Sequence, residues 1–192
     1  MKAKQPIETE IKLRAGAVKA ARERLRRAGF RVHKRRVFED NIILDTPELR
    51  LRNEGALLRL RRVGRDVTLT YKGKEQGGRH KSREEREVSV ANWDATVAIA
   101  ERIGLARAFR YQKYRTEYKL PRGGGVATLD ETPIGVYFEL EGSPAWIDRT
   151  ARNLAFRESD YITDSYGSLY LKWCKERKKE PGDMVFKKEP RP

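Results

Sequence analysis

At 192 residues and 38% hydrophobic content the chain is long enough for one well-buried domain, and its composition excludes a disordered protein. With 43 basic against 28 acidic residues the net charge is +15, which implies an anionic partner: nucleic acid, a polyphosphate or nucleotide, or a membrane surface. A lone Cys174 and two histidines, His33 and His80, exclude a disulfide framework, a Cys-rich zinc site and a histidine metal cluster, while the lack of a secretory h-region or of about 18 consecutive apolar residues makes a soluble, cytoplasmic protein without membrane contact the expectation.

In chain order, Pro6-Ile7-Glu8-Thr9-Glu10-Ile11-Lys12-Leu13 reads as a strand, with Glu8, Glu10 and Lys12 on one face and Ile7, Ile11 and Leu13 on the other. For one strand alone, a charged face is most simply a solvated face. Residues 17 to 29 predict a helix with Val18, Ala21, Leu25 and Ala28 on one stripe, arginines opposite and Gly29 as its stop. Residues 35 to 45 predict a strand ending at the Thr46-Pro47 turn. Then Arg59 and Arg61 alternate with Leu58 and Leu60, and Thr68, Thr70 and Lys72 alternate with Val67, Leu69 and Tyr71. Lys74 to Lys81 reads as a flexible link, after which Arg83, Glu85 and Glu87 again take alternate positions.

Asn92 predicts the N-cap of a second helix running to about Ile103 and stopped by Gly104. Three more strands follow. Residues 111 to 118 set Lys113 and Arg115 against Tyr114 and Tyr118; residues 126 to 130 end in Asp130; residues 136 to 141 set Glu139 and Glu141 against Phe138 and Leu140. Short helices are expected near residues 148 to 157 and 164 to 174. Residues 1–174 are expected to form the domain, and the charged, Pro-containing residues 175–192 a basic mobile tail.

About eight strands are expected, most with charges at alternate positions, and the fold class is α+β, mainly β. If the strands close into an antiparallel barrel, the charges line a lumen and the apolar faces pack outward against helices; eight strands suit an interior that holds one small ligand. Buried charge needs pairing or a ligand. Mutual salt bridges are one explanation. The other is that Lys and Arg hold a phosphate chain while clustered carboxylates hold Mg²⁺ or Mn²⁺, the parts of a phosphoryl-transfer site.

The motif Glu8-x-Glu10-x-Lys12 resembles the ExExK signature of the CYTH family, the triphosphate tunnel metalloenzymes. The resemblance extends in order through Asp45-Thr46-Pro47, Leu58-Arg59-Leu60-Arg61, Thr70-Tyr71-Lys72-Gly73, Arg83-x-Glu85-x-Glu87, Lys113-x-Arg115-x-x-Tyr118, Leu129-Asp130 and Glu139-x-Glu141. It implies an eight-stranded antiparallel tunnel that binds a triphosphate and divalent metal. By motif position Lys12, Arg59, Arg61, Lys72, Arg83, Lys113 and Arg115 would bind phosphate, and Glu8, Glu10, Glu85, Glu87, Asp130, Glu139 and Glu141 would serve the metal.

The family includes inorganic triphosphatases, thiamine triphosphatases, RNA 5′-triphosphatases and class IV adenylyl cyclases, often as dimers, so a homodimer is compatible with the resemblance. Cyclase-type members resemble one another in a His-Phe pair shortly before ExExK, where this chain has Lys4-Gln5-Pro6-Ile7. That departure favours a triphosphatase, with inorganic triphosphate ahead of ATP or thiamine triphosphate, and Lys113 is taken as its catalytic residue. Adenylyl cyclase is the alternative. A non-catalytic polyphosphate or nucleic-acid binding module is the second, disfavoured because phosphate binding alone does not call for the acidic set.

Overall fold

The computed structural model describes residues 7–187; the expectations for Lys4 to Pro6 and for residues 188–192 lie outside the described residues. Eight strands form one closed antiparallel barrel: β1 (Ile7–Arg14), β2 (Arg31–Asp45), β3 (Leu57–Val63), β4 (Asp66–Lys72), β5 (Lys81–Val90), β6 (Ala106–Lys119), β7 (Gly125–Thr132) and β8 (Gly135–Gly142). Their order around the barrel is β1-β5-β4-β3-β2-β6-β7-β8, with β8 pairing back onto β1. Closure leaves no free edge and gives every strand an inner and an outer face.

The outer face carries the hydrophobic core, so the barrel is polar within and apolar without. Helices α1 (Val18–Arg27), α3 (Trp93–Arg102), α4 (Pro144–Asn153) and α5 (Tyr166–Glu176) surround it, with the one-turn α2 (Arg50–Asn53) before β3. Ile11 and Leu13 of β1, Leu129 of β7 and Phe138 and Leu140 of β8 are buried in one cluster with Ala21 and Leu25 of α1 and Trp146, Ile147 and Ala151 of α4. Each Ile, Leu and Phe side chain among them contributes about 1.5–3 kcal/mol by leaving water, so the outer wall supplies the barrel's hydrophobic stabilisation. A second cluster packs Ile42, Leu44, Leu60 and Val67 against Ala100 of α3. Ile7, expected on the apolar face, is 56% exposed and borders the cavity instead of joining the core.

Local signals fix the helix ends. The Asn92 side chain accepts the Ala95 amide at 2.9 Å, and Gly29 follows α1 with φ of +84°, as its stop requires. The helix expected over 148 to 157 begins earlier, at Pro144, because Ser143 caps it and Pro144 fits its first turn. β2 begins at Arg31, ahead of the expected start, and its first half pairs with β6 through register shifts that the alternation does not reveal.

Beyond α5 the chain returns to the barrel instead of leaving it at residue 174. Met184 is fully buried, its amide donates to the Arg110 carbonyl at 3.0 Å, and its carbonyl accepts the Gln112 amide at 2.9 Å. Phe186 packs against Phe38 and Tyr114.

Candidate active site

Because strand side chains alternate, one register fixes the whole lining. Across β1 and β8, Glu10 faces Glu141 and Lys12 faces Glu139; across β1 and β5, Glu8 faces Arg83 and Glu10 faces Lys81. A cavity of about 1560 Å³ runs through the barrel. Every sequence-derived site residue lines it except Asp130.

Asp130 is fully buried within the wall. It accepts Lys113 Nζ at 2.7 Å, Arg115 Nε at 2.7 Å and the Tyr166 hydroxyl at 2.8 Å. With those three donors on it, Asp130 orients the lysine and arginine and does not present a free carboxylate to a metal. Burial and Asp130 together push the Tyr166 phenol well above its ordinary range.

The remaining lumen charges fall into distinct groups. Lys12 Nζ lies 3.0 Å from Glu10 and 3.6 Å from Glu139. Lys72 joins Glu8 to Glu85, the latter at 2.8 Å, and Arg115 also contacts Glu139. Arg61 Nε donates to Asn41 Oδ1 at 3.1 Å and lies 3.5 Å from Glu39. Arg59 is more loosely held, 3.7 Å from Glu85 and 3.9 Å from Glu87, with one hydrogen bond to Thr70 at 3.2 Å. Mutual salt bridges therefore satisfy part of the lining. They leave Arg59 Nε and Arg83 Nε buried without a partner.

Three residues that motif positions did not supply belong to the site: Lys81 and Tyr166 line the cavity, and Glu39 is buried behind its wall. Glu39, on β2, lies 3.5–3.8 Å from Arg61, Lys113 and Arg115. Burial raises its pKa, but Lys113, Arg61 and Arg115 outweigh that and hold it at about 2. Lys81, read as the end of a flexible link, is the first residue of β5; its place two positions before Arg83 was the available signal. Burial and Lys12 pull it down to about 8. Tyr166, read as an apolar contact, lies with its ring 5.0 Å from Lys113 Nζ and 5.4 Å from Lys12 Nζ.

Crowded carboxylates give the site a second character. Burial, a hydrogen bond that the protonated Glu8 donates to Glu85, and the charges of Glu10 and Glu85 hold Glu8 up at about 8 despite Lys72. Glu141 is also raised, by burial and by Glu10 and Glu85, whereas Lys12 overcomes burial to keep Glu10 at about 2. Among the described residues no three such donors are gathered closely enough to hold a metal as the side chains stand. The donor chemistry nonetheless fits a hard divalent ion: the crowding of Glu8 with Glu10 and Glu85, which raises Glu8, marks a place where positive charge is favoured, and the ligands offered there are carboxylate oxygens.

Comparison with known proteins agrees with this architecture. The CYTH domain model matches residues 6–166. A Methanocaldococcus jannaschii protein named as a candidate adenylate cyclase is 28% identical over 138 residues, covering 71% of this chain and 77% of that protein. A candidate adenylate cyclase from Vibrio parahaemolyticus superposes with a TM-score of 0.74 at 18% identity, covering 86% of this chain and 98% of that one. A Hippeastrum protein described as a candidate adenylyl cyclase with a dominant triphosphatase activity superposes with a TM-score of 0.64 at 17% identity, covering 86% and 95%.

Proposed function

Because the chain belongs to the CYTH domain family, we propose that it is a divalent-metal-dependent enzyme that hydrolyses a phosphoric anhydride bond of a triphosphate held in this tunnel. One observation carries the reading: the lumen holds buried guanidinium nitrogens of Arg59 and Arg83 without partners, beside carboxylates so crowded that Glu8 is held at about 8. An anion satisfies the first and a cation the second, and a metal–triphosphate complex brings both.

Glu8, Glu10, Glu85, Glu139 and Glu141 would hold Mg²⁺ or Mn²⁺, with Glu87 at the rim. When bound, the metal would neutralise charge on phosphate oxygens. Arg59, Arg61, Lys72 and Arg83 bind phosphate oxygens, Arg through its planar fork and Lys as a point charge. Asp130 and Glu39 fix Lys113 and Arg115 against the phosphate chain, so Lys113 acts by orienting the reacting groups. Most of the rate enhancement in such a site comes from positioning and preorganised charge.

Cyclisation of ATP is the second reading, favoured by the size of the cavity. Its 1560 Å³ exceeds the about 300–1,000 Å³ usual for small-molecule sites, and Ile43, Leu57, Phe109 and Tyr170 offer apolar surface for a nucleoside. Purified protein with Mg²⁺ or Mn²⁺ is to be assayed on inorganic triphosphate, thiamine triphosphate and ATP. Orthophosphate release supports hydrolysis, cyclic AMP with pyrophosphate supports cyclisation, and no metal-dependent turnover on any of them rejects both in favour of a binding module. Within the enzyme reading, Glu10→Gln lowers metal-dependent turnover by about 10²-fold or more while the protein remains folded; unchanged turnover would remove Glu10 from the site.

A further inference from the structure

The cations of the tunnel differ in whether they already have partners. Lys12, Lys72, Lys113 and Arg115 each hold a carboxylate at 3.0 Å or less. Lys81 does not. It is 3% exposed, and its one carboxylate contact among the described residues is Glu10 at 3.9 Å, an oxygen already taken by Lys12 at 3.0 Å. Arg83, two positions along β5 and on the same face, is 8% exposed and makes no hydrogen bond or ion pair among the described residues. Two buried cations side by side, one with only a distant shared carboxylate and the other with no ion pair, are costly unless an anion completes them.

Anchoring the β4–β5 loop does not explain Lys81, because other groups perform that task. His80 Nε2 contacts Asp148 at 2.7 Å, Arg79 contacts the same carboxylate at 2.7 Å, and the Gln76 amide donates to the Ser82 carbonyl at 2.7 Å. The Lys81 side chain lines the cavity with Arg83.

We propose that Lys81 is a substrate-binding residue and that Lys81 and Arg83 together form an anion subsite on β5 that takes one phosphoryl group of the triphosphate. The assignment rests on the tunnel being a triphosphate site. A phosphoryl group suits the pair, since its several oxygens can accept from an ammonium and a guanidinium at once.

Titration calorimetry with inorganic triphosphate and Mg²⁺ tests it on the wild type, Lys81→Met and Lys81→Arg, alongside thermal unfolding of each without ligand. The substrate role predicts that Lys81→Met unfolds at the same or a higher temperature, because a buried and only weakly paired charge is gone, yet binds triphosphate about tenfold more weakly or worse. Lys81→Arg keeps the charge and binds within about threefold of wild type. Wild-type-like binding by Lys81→Met overturns the subsite alone, as does a Lys81→Met that unfolds at a lower temperature with unchanged affinity. A wild type that does not bind triphosphate overturns the subsite and the tunnel reading together.

Discussion

Glu39 binds the lumen together, and its behaviour with pH follows from its neighbours. Its folded pKa of about 2 lies below the ordinary 4.5, so the unfolded chain binds more protons between those values. Stability from Glu39 is therefore complete above pH 4.5 and lost as pH falls toward 2, by about 3 kcal/mol in all. The cost of Glu39→Gln, measured by urea unfolding, should shrink between pH 6 and pH 3.5; a cost independent of pH would mean that Glu39 is not paired as described. Glu39 was not legible as a site residue because it carries no family motif and its strand alternates polar with apolar residues only in part. Glu8, Glu10, Lys12, Arg59 and Arg61 were legible because period-2 alternation alone puts them on one face. The same alternation placed Asp130 on the inner face, but it cannot report depth, and depth is what gives that carboxylate to Lys113, Arg115 and Tyr166.

At the scale of elements, strands were the most readable because each needs only a few alternating residues, and closure followed from how many showed a charged face. The return of the chain after α5 was not readable. It depends on Met184 and Phe186, two apolar residues in a charged stretch, which make no period of their own and acquire meaning only against β6 and its neighbours. Met184→Ala should cost about 2–5 kcal/mol in a denaturant titration, the range for truncating a fully buried methionine. Wild-type stability in that variant would show that residues 183–186 contribute no packing to the barrel.

For the whole molecule, the net charge and the tunnel are separate matters. The site sets eight cations (Lys12, Arg59, Arg61, Lys72, Lys81, Arg83, Lys113, Arg115) against six carboxylates of the lumen (Glu8, Glu10, Glu85, Glu87, Glu139, Glu141) and two buried behind its wall (Glu39, Asp130), so it adds little to the excess of +15. That excess lies on the outside, on residues such as Arg26 and Arg27 of α1 and Arg31, Arg35 and Arg36 of β2, all exposed. A positive exterior cannot strengthen contacts inside a buried tunnel, but its field raises the rate at which a multiply charged anion arrives. The field is screened by salt, with a Debye length falling from about 30 Å at 0.01 M to about 10 Å at 0.1 M, whereas buried pairs are screened much less. On the hydrolase reading, raising ionic strength across that range at fixed free Mg²⁺ should lower kcat/KM for inorganic triphosphate several-fold and leave kcat nearly constant. A kcat that falls in parallel would place the salt effect on the bound tunnel charges, and a kcat/KM indifferent to salt would leave the exterior charge without a part in substrate capture.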